Sequence, residues 1–77
     1  MHFYTTEGCR LCDEALQWVA PIMERLNMTL KVIEIMDEAP LEKAYGERIP
    51  VLEWSHGGDA LEWPFDRAAV YRFGMRS

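Results

Sequence analysis

The sequence predicts one α/β domain, residues 1–77, in which helices cover both faces of a four-stranded mixed sheet in the order β-α-β-α-β-β-α. Three observations support this prediction. The chain of 77 residues is long enough for a single core. Apolar residues recur at helical spacing over residues 11–26. Short apolar runs bounded by turn residues suit a β-α-β unit followed by a hairpin, which together give a mixed sheet.

The first half of the chain predicts the β-α-β unit. Phe3 favours a short first strand, which the turn residues before the next segment end. Residues 11–26 then predict an amphipathic helix, and Pro21 falls on its solvent side, so we expect a bend there rather than an end. The β-branched run over residues 30–36 predicts a second strand that is covered on both faces.

The second half predicts a short helix, a hairpin and a last helix. Pro40 and Gly46 bracket a short helix over residues 41–45. Residues 51–54 and 60–63 are two short strands joined by a glycine-containing connection, which predicts an antiparallel pair. The last helix starts at residues 64–66, ends near Gly74 and turns four residues to the sheet: Phe65, Ala69, Val70 and Phe73.

Charge and hydropathy exclude several functional classes. Eight Lys and Arg residues stand against thirteen Asp and Glu residues, which gives a formal net charge of −5. Because the basic residues are scattered, nucleic acids and anionic membranes are excluded as partners. No apolar run reaches the roughly 18 residues that a bilayer span needs. The first residues lack the basic and apolar regions of a secretory signal, so we predict a cytoplasmic protein.

The two cysteines, Cys9 and Cys12, lie at the predicted junction of the first strand and the first helix. This placement leaves Cys9 exposed at the helix N-terminus and Cys12 half-buried one turn later. Unpaired N–H groups and the helix dipole favour an anion there, so the pKa of Cys9 should fall below about 8.5. Arg10 would add to this effect and the nearby acidic residues would oppose it. A thiolate at Cys9 can attack a disulfide, and Cys12 can then resolve the mixed disulfide.

Two other interpretations of the cysteine pair are open. The cysteines can be ordinary small apolar residues of the core. A structural zinc site would need His2 and His56 to complete its ligands. The predicted topology places both histidines away from the cysteines, which argues against zinc.

These residues resemble the glutaredoxins and the thioredoxin fold. The resemblance rests on the Cys-x-x-Cys motif of residues 9–12, on Ile49-Pro50 before the third strand and on the element order. More closely, three segments resemble a group of short bacterial glutaredoxin-like domains. They are GCRLC at residues 8–12, YGERIPVL at residues 45–52 and WPFD at residues 63–66.

The resemblance implies roles for four residues. Cys9 takes the position of the nucleophile and Cys12 that of the resolving thiol. Pro50 takes the position of the cis-proline that faces the active-site sulfur, whereas base rates alone favour a trans bond. Ile49 would then offer its N–H and C=O groups to a thiol substrate. We therefore predict a cis Ile49–Pro50 peptide.

The resemblance also implies glutathione as a possible co-substrate, with no tightly bound cofactor. Glutaredoxins commonly place a Lys where this chain has Thr6, and a Gly-Gly pair with an acid where it has residues 62–66. Arg48 or Arg10 would replace the missing Lys, or each is a solvated arginine. Asp66 would hold the glutathione amino group, or it caps the last helix.

The sequence thus predicts a monomeric dithiol oxidoreductase that reduces protein disulfides or glutathione mixed disulfides. Its electron donor would be glutathione or a reductase. Two alternatives stay open. The first is a thioredoxin-fold module for protein interaction or redox sensing, without turnover. The second is a glutathione-assisted iron–sulfur carrier.

Overall fold

The computed structural model describes residues 1–37, 40, 43, 46 and 48–76. These residues form, in chain order, β1 (His2–Thr5), α1 (Arg10–Arg25), β2 (Lys31–Glu34), β3 (Val51–Glu53), β4 (Ala60–Glu62) and α2 (Arg67–Met75). A turn of 3₁₀-helix, Ile35–Asp37, follows β2. The helix predicted over residues 41–45 lies outside the described residues, apart from Lys43.

The four strands form one mixed sheet in the order β2-β1-β3-β4. β1 runs parallel to β2, with Phe3 opposite Val32. It runs antiparallel to β3, with Phe3 opposite Leu52. β4 pairs antiparallel with β3 and places Leu61 opposite Leu52. The predicted mixed sheet and the antiparallel hairpin are confirmed, and β2 and β4 are the outer strands.

The main core lies between one face of the sheet and both helices. Phe3 of β1 and Leu52 of β3 are fully buried at its centre. The other buried members are Met1, Cys12, Ala15, Val19, Ile22, Met23, Phe65, Val70 and Phe73. A smaller cluster of Tyr4, Ile35 and Val51 covers part of the opposite face.

The prediction that β2 is covered on both faces is wrong. The strand is shorter than predicted, and none of its residues is buried. Val32 is 47% exposed although its partner Phe3 is fully buried. The physical reason is its position, because β2 is an outer strand while the two helices pack over β1 and β3. A β-branched apolar run does not distinguish an outer strand from an inner one.

Pro21 lies inside α1, and the helix continues through it to Arg25. The side chain is exposed, as the helical periodicity predicts. A proline on the solvent side removes a hydrogen bond where water can replace it, so the helix need not end.

The last helix lies close to its predicted boundaries. Asp66 is its N-cap, and it runs from Arg67 to Met75, so it ends one residue beyond Gly74. Phe65, Val70 and Phe73 are buried as predicted. Gly74 is buried as well, and a β-carbon placed on it would lie 2.7 Å from Leu26 Cδ1 and 3.3 Å from Met23 Cε. Because Gly74 has a hydrogen in place of a side chain, α2 can lie close to the C-terminal end of α1.

Replacing Gly74 by Val should destabilise the fold. The larger side chain would push against Leu26 and Met23, and overpacking of this kind costs about 1–3 kcal/mol. Urea unfolding followed by circular dichroism gives the free energy. The control is Ala68→Val on the exposed side of the same helix, which should cost only about 0.5 kcal/mol through helix propensity. Because replacing Gly by Val improves helix propensity by a few tenths of a kcal/mol, a Gly74→Val variant that is at least as stable as the parent would contradict close packing at Gly74.

Candidate functional site

A tight turn connects β1 to α1 and sets the position of Cys9. Gly8 has φ +82°, a conformation that favours glycine. The N–H of Cys9 donates to the carbonyl of Thr6 at 3.1 Å, which closes the turn. The chain is thereby directed into the first helical turn immediately after Cys9.

Cys9 is the N-cap residue of α1. Its backbone is extended, with φ −83° and ψ 100°, while its carbonyl accepts a hydrogen bond from the N–H of Asp13 at 3.1 Å. Its Sγ accepts a hydrogen bond from the N–H of Cys12 at 3.2 Å. The predicted location of Cys9 at the helix N-terminus is confirmed, and its sulfur occupies the place where a capping oxygen normally sits.

Cys9 and Cys12 are joined by a disulfide, with their Cα atoms 5.2 Å apart. Cys9 is half-buried and Cys12 is fully buried. Each is more buried than predicted, but the order between them is as predicted. The reason is that Cys12 lies on the inner face of α1 with Ala15 and Val19, whereas Cys9 precedes the helix.

The carboxylate of Glu34, at the end of β2, accepts a hydrogen bond from the turn that precedes Cys9. Its Oε1 accepts a hydrogen bond from the N–H of Glu7 at 2.6 Å. Its Oε2 accepts one from the N–H of Met36 at 3.1 Å. The bond from Met36 is the main reason that the pKa of Glu34 lies below its ordinary value; desolvation opposes this shift, and the bond from Glu7 supports it. Nothing in the sequence distinguishes Glu34 from any other acid at a strand end.

The Ile49–Pro50 peptide is cis, as the family resemblance predicts, and Pro50 is fully buried. Ile49 and Cys9 both pack against the main core. The N–H of Trp63 donates to the carbonyl of Pro50 at 3.1 Å, so the start of β3 lies beside the end of β4. Trp63–Pro64 is a second cis peptide, which the sequence analysis did not predict.

The remaining predicted binding residues all interact with the protein itself. Arg10, whose side chain is 92% exposed, forms an ion pair with Glu14 at 3.6 Å. Arg48 pairs with Glu62 at 3.7 Å. Asp66 caps α2, since its Oδ1 accepts a hydrogen bond from the N–H of Ala69 at 2.8 Å. The capping alternative for Asp66 is therefore observed, and the substrate-binding roles of all three residues stay predictions.

Three aromatic side chains form a row between α1 and the start of α2. Phe65 lies at its centre, 5.8 Å from the ring of Trp18 and 5.1 Å from the ring of Trp63, edge to face in both pairs. The guanidinium of Arg67 lies 5.3 Å from the Trp18 ring. Phe65 is buried, while both tryptophans stay half-exposed. We call these three side chains the aromatic row.

The histidines lie apart from the cysteines. His2 packs edge to face on Tyr4, and His56 stacks on Trp54 with ring centroids 5.6 Å apart. Within the described part of the chain, no three His, Cys, Asp or Glu side chains come together as a metal site. In the same part of the chain, no helix has the length and apolar character to cross a bilayer.

A family model named Glutaredoxin-like domain (DUF836) matches residues 1–73. The chain belongs to this glutaredoxin-like family. A solved structure supports the assignment: the X-ray structure of Northeast Structural Genomics target protein XcR50 from X. campestris is 33% identical, with a TM-score of 0.74. The match covers 94% of this chain and 91% of that one. No curated protein matches the chain.

The membership and the geometry agree on a redox role for this glutaredoxin-like domain. The chain belongs to a glutaredoxin-like family, and the structure brings Cys9 and Cys12 to disulfide distance at the N-terminus of a helix, which fits a redox role. The thioredoxin-like fold is confirmed by the mixed sheet and by the similar solved structure.

The hydrogen bonds of Glu34 should make the stability of this glutaredoxin-like domain fall in acid. A folded-state pKa below the ordinary 4.5 stabilises the fold above that value, and this stabilisation is lost as the pH falls through the lower, folded-state pKa. Glu34→Gln keeps one acceptor oxygen but removes the charge, so it should be less stable than the parent at pH 7. Urea unfolding at pH 7 and pH 3 should show that this difference shrinks at pH 3. If the stability difference between Glu34→Gln and the parent is the same at both pH values, the pKa of Glu34 is not lowered in the folded state.

The cap at Asp66 gives a second stability test. Asp66→Ala should lower the free energy of unfolding by about 1 kcal/mol, because the N–H of Ala69 loses its acceptor. Asp66→Asn should retain most of the stability, since an Asn side chain caps helices equally well. Thermal unfolding of the two variants beside the parent measures both effects. If Asp66→Ala is as stable as the parent, the carboxylate is not needed as a cap.

Proposed function

We propose that this glutaredoxin-like domain is a small thiol–disulfide oxidoreductase, with Cys9 as the nucleophile and Cys12 as the resolving thiol. The observation that carries the proposal is the hydrogen bond from the N–H of Cys12 to the sulfur of Cys9 at the N-terminus of α1. An N–H donor and the positive end of the helix dipole both stabilise a thiolate more than a thiol. Cys9 is therefore the sulfur that ionises and attacks.

The reaction transfers two electrons in two exchange steps. In the first, the Cys9 thiolate attacks a disulfide of the target, the target S–S bond breaks, and the leaving thiolate takes a proton from solvent. In the second, Cys12 gives its proton to solvent and attacks Cys9, which releases the second target thiol. The target is reduced to two thiols and the Cys9–Cys12 pair is oxidised to a disulfide. Two glutathione molecules, or the dithiol of a reductase, restore the reduced form.

Burial supports the order of these two steps. The side chain of Cys12 is fully buried, so an external disulfide cannot reach its sulfur. Cys9 is half-buried and is the sulfur open to a substrate. Once Cys9 carries the target, Cys12 is the nearest thiol, because the Cα atoms of the pair are only 5.2 Å apart.

The surroundings of Cys9 favour a polypeptide disulfide over glutathione. Glutathione carries two carboxylates, whereas this chain has Thr6 where glutaredoxins commonly have a Lys to bind one of them. Leu11, between the two cysteines, is 47% exposed and offers an apolar contact to a protein surface. Ile49 would add main-chain hydrogen bonds to the segment that carries the target cysteine. We place this activity in the cytoplasm, where thiols are kept reduced, and assign it to a monomer.

Intact mass measurement in glutathione redox buffers tests the mechanism. The reduced parent should form the internal disulfide at a defined potential, and reduced Cys12→Ser should accumulate a mixed disulfide on Cys9 because the resolving thiol is missing. Cys9→Ser is the matched control and should stay unmodified, since Cys12 is buried. The rate of alkylation of Cys12→Ser against pH should report a thiol pKa below about 8.5.

The other outcomes separate the alternatives. If the parent closes its disulfide but Cys12→Ser traps no glutathione, a reductase dithiol is the electron donor. If neither product forms and Cys9 titrates as an ordinary thiol, the domain is an interaction or sensing module without turnover. If glutathione is trapped on Cys9→Ser and not on Cys12→Ser, then Cys12 is the nucleophile and Cys9 is the resolving thiol.

A further inference from the structure

A shallow groove runs between β4 and α2. It has a volume of about 320 Å³ and is lined by Leu61, Ala69, Arg72, Phe73 and Arg76. A hollow of about 270 Å³ adjoins it at Arg76 and is lined by Trp54 and the turn residues 56–59. We call the first of these the β4–α2 groove.

The β4–α2 groove lies away from the dithiol. The guanidinium of Arg76 pairs with Asp59 in the turn between β3 and β4, at 2.6 Å. The ring of Phe73 lies 5.7 Å from that of Trp54, just after the end of β3. Pro50 lies at the opposite end of β3. The residues that line the groove include none of the predicted substrate-binding residues.

The outer edge of β4 carries main-chain groups that no strand of the sheet uses. Within the described part of the chain, β4 pairs only with β3. The N–H of Trp63 bonds to Pro50, and Leu61 lies opposite Leu52 two residues earlier. Hydrogen bonding alternates along an antiparallel pair, so the N–H and C=O groups of Ala60 and Glu62 point outward. These are the groups to which an added strand would bond.

The groove combines an apolar floor with a basic rim. Leu61, Ala69 and Phe73 form the floor. Arg72 has no ion-pair partner among the described residues, and Arg76 keeps donors free because a guanidinium has five N–H groups and Asp59 occupies only part of them. The chain as a whole has a net charge of −5. Asp59 offsets part of the charge of Arg76, so Arg72 supplies the unpaired positive charge of this rim, which favours a ligand with carboxylates.

We propose that an extended segment of a partner protein binds here as an added strand antiparallel to β4. In such a strand every second side chain faces the groove. The residue opposite Leu61 is apolar and packs on the floor, and the groove-facing residues on either side of it are acidic and meet Arg72 and Arg76. The inference goes beyond the proposed redox function and does not depend on it, because the segment contacts neither cysteine.

A second copy of the chain fits this edge less well than an acidic segment. A symmetric pairing of β4 with β4 would use the same surface on both partners. Centred on Leu61, such a pairing would bring Arg72 against the Arg72 of the other copy, whereas Arg76, beside Asp59, would face the other end of the groove. Like charges placed together in this way weaken association, which leaves an acidic partner as the occupant.

Amide NMR with a designed probe peptide tests the proposal on the full-length oxidised protein. The probe is the capped peptide TETLTET, in which Leu and both Glu residues share one face. Saturable shifts should appear at the amides of Ala60 and Glu62 and at the Trp54 indole. Arg72→Glu should weaken binding at least about fivefold, while Lys31→Glu on β2, with the same change of charge, should not.

Two modified peptides test whether binding depends on the acidic side chains and on main-chain hydrogen bonds. The peptide TKTLTKT should bind more weakly than TETLTET because its charges are reversed. N-methylation of the two threonines beside Leu removes the N–H donors that face β4 and should abolish binding. The proposal is overturned if either modified peptide binds as well as the parent peptide, or if the shifts lie elsewhere in the domain. It is also overturned if shifts at Ala60 and Glu62 follow the concentration of the protein alone, which would make a second copy the occupant.

Discussion

Two helices must cover one face of a sheet that has only two inner strands, and the rest of the structure depends on this packing. Phe3 and Leu52 lie at the centre of that face and are excluded from water. Both helices pack on them, and Gly74 of α2 lies against the Leu26 and Met23 side chains at the end of α1. The helices are centred on β1 and β3, so the outer strands keep an open side. The exposed Val32 and the β4–α2 groove are two results of the same arrangement.

The position of the cysteine pair follows from how α1 is placed. Cys12 lies on the buried side of this helix, and Cys9, three residues earlier, lies at its N-terminus. One cysteine is thus fixed in the core and its partner is left at the surface. Glu34 then connects the end of β2 to the turn before Cys9. The first turn of α1 is therefore supported by the core on one side and by β2 on the other.

Local patterns were sufficient to predict much of this fold. Helical periodicity predicts α1 and puts Pro21 on its solvent side, where a proline need not end the helix. The glycine-containing connection predicts the hairpin. The cis bond before Pro50 followed from the family resemblance, since base rates alone favour trans. Features that depend on long-range contacts were missed or misjudged. The coverage of β2 depends on strand order, and the pairing of Glu34 with Glu7 joins segments 27 residues apart. Gly74 looks like a helix end in sequence, but its role is contact with α1.

The short separation of the two cysteines has a thermodynamic consequence. A bond that closes a loop of only a few residues restricts the unfolded chain little, about 2 kcal/mol by loop entropy against about 5 kcal/mol for a loop of a hundred residues. Opening and closing this bond therefore changes the balance between folded and unfolded chains only modestly. Folding and redox state form a thermodynamic cycle, so this loop entropy alone would make the potential of the pair roughly 40 mV lower in the folded domain than in its unfolded chain.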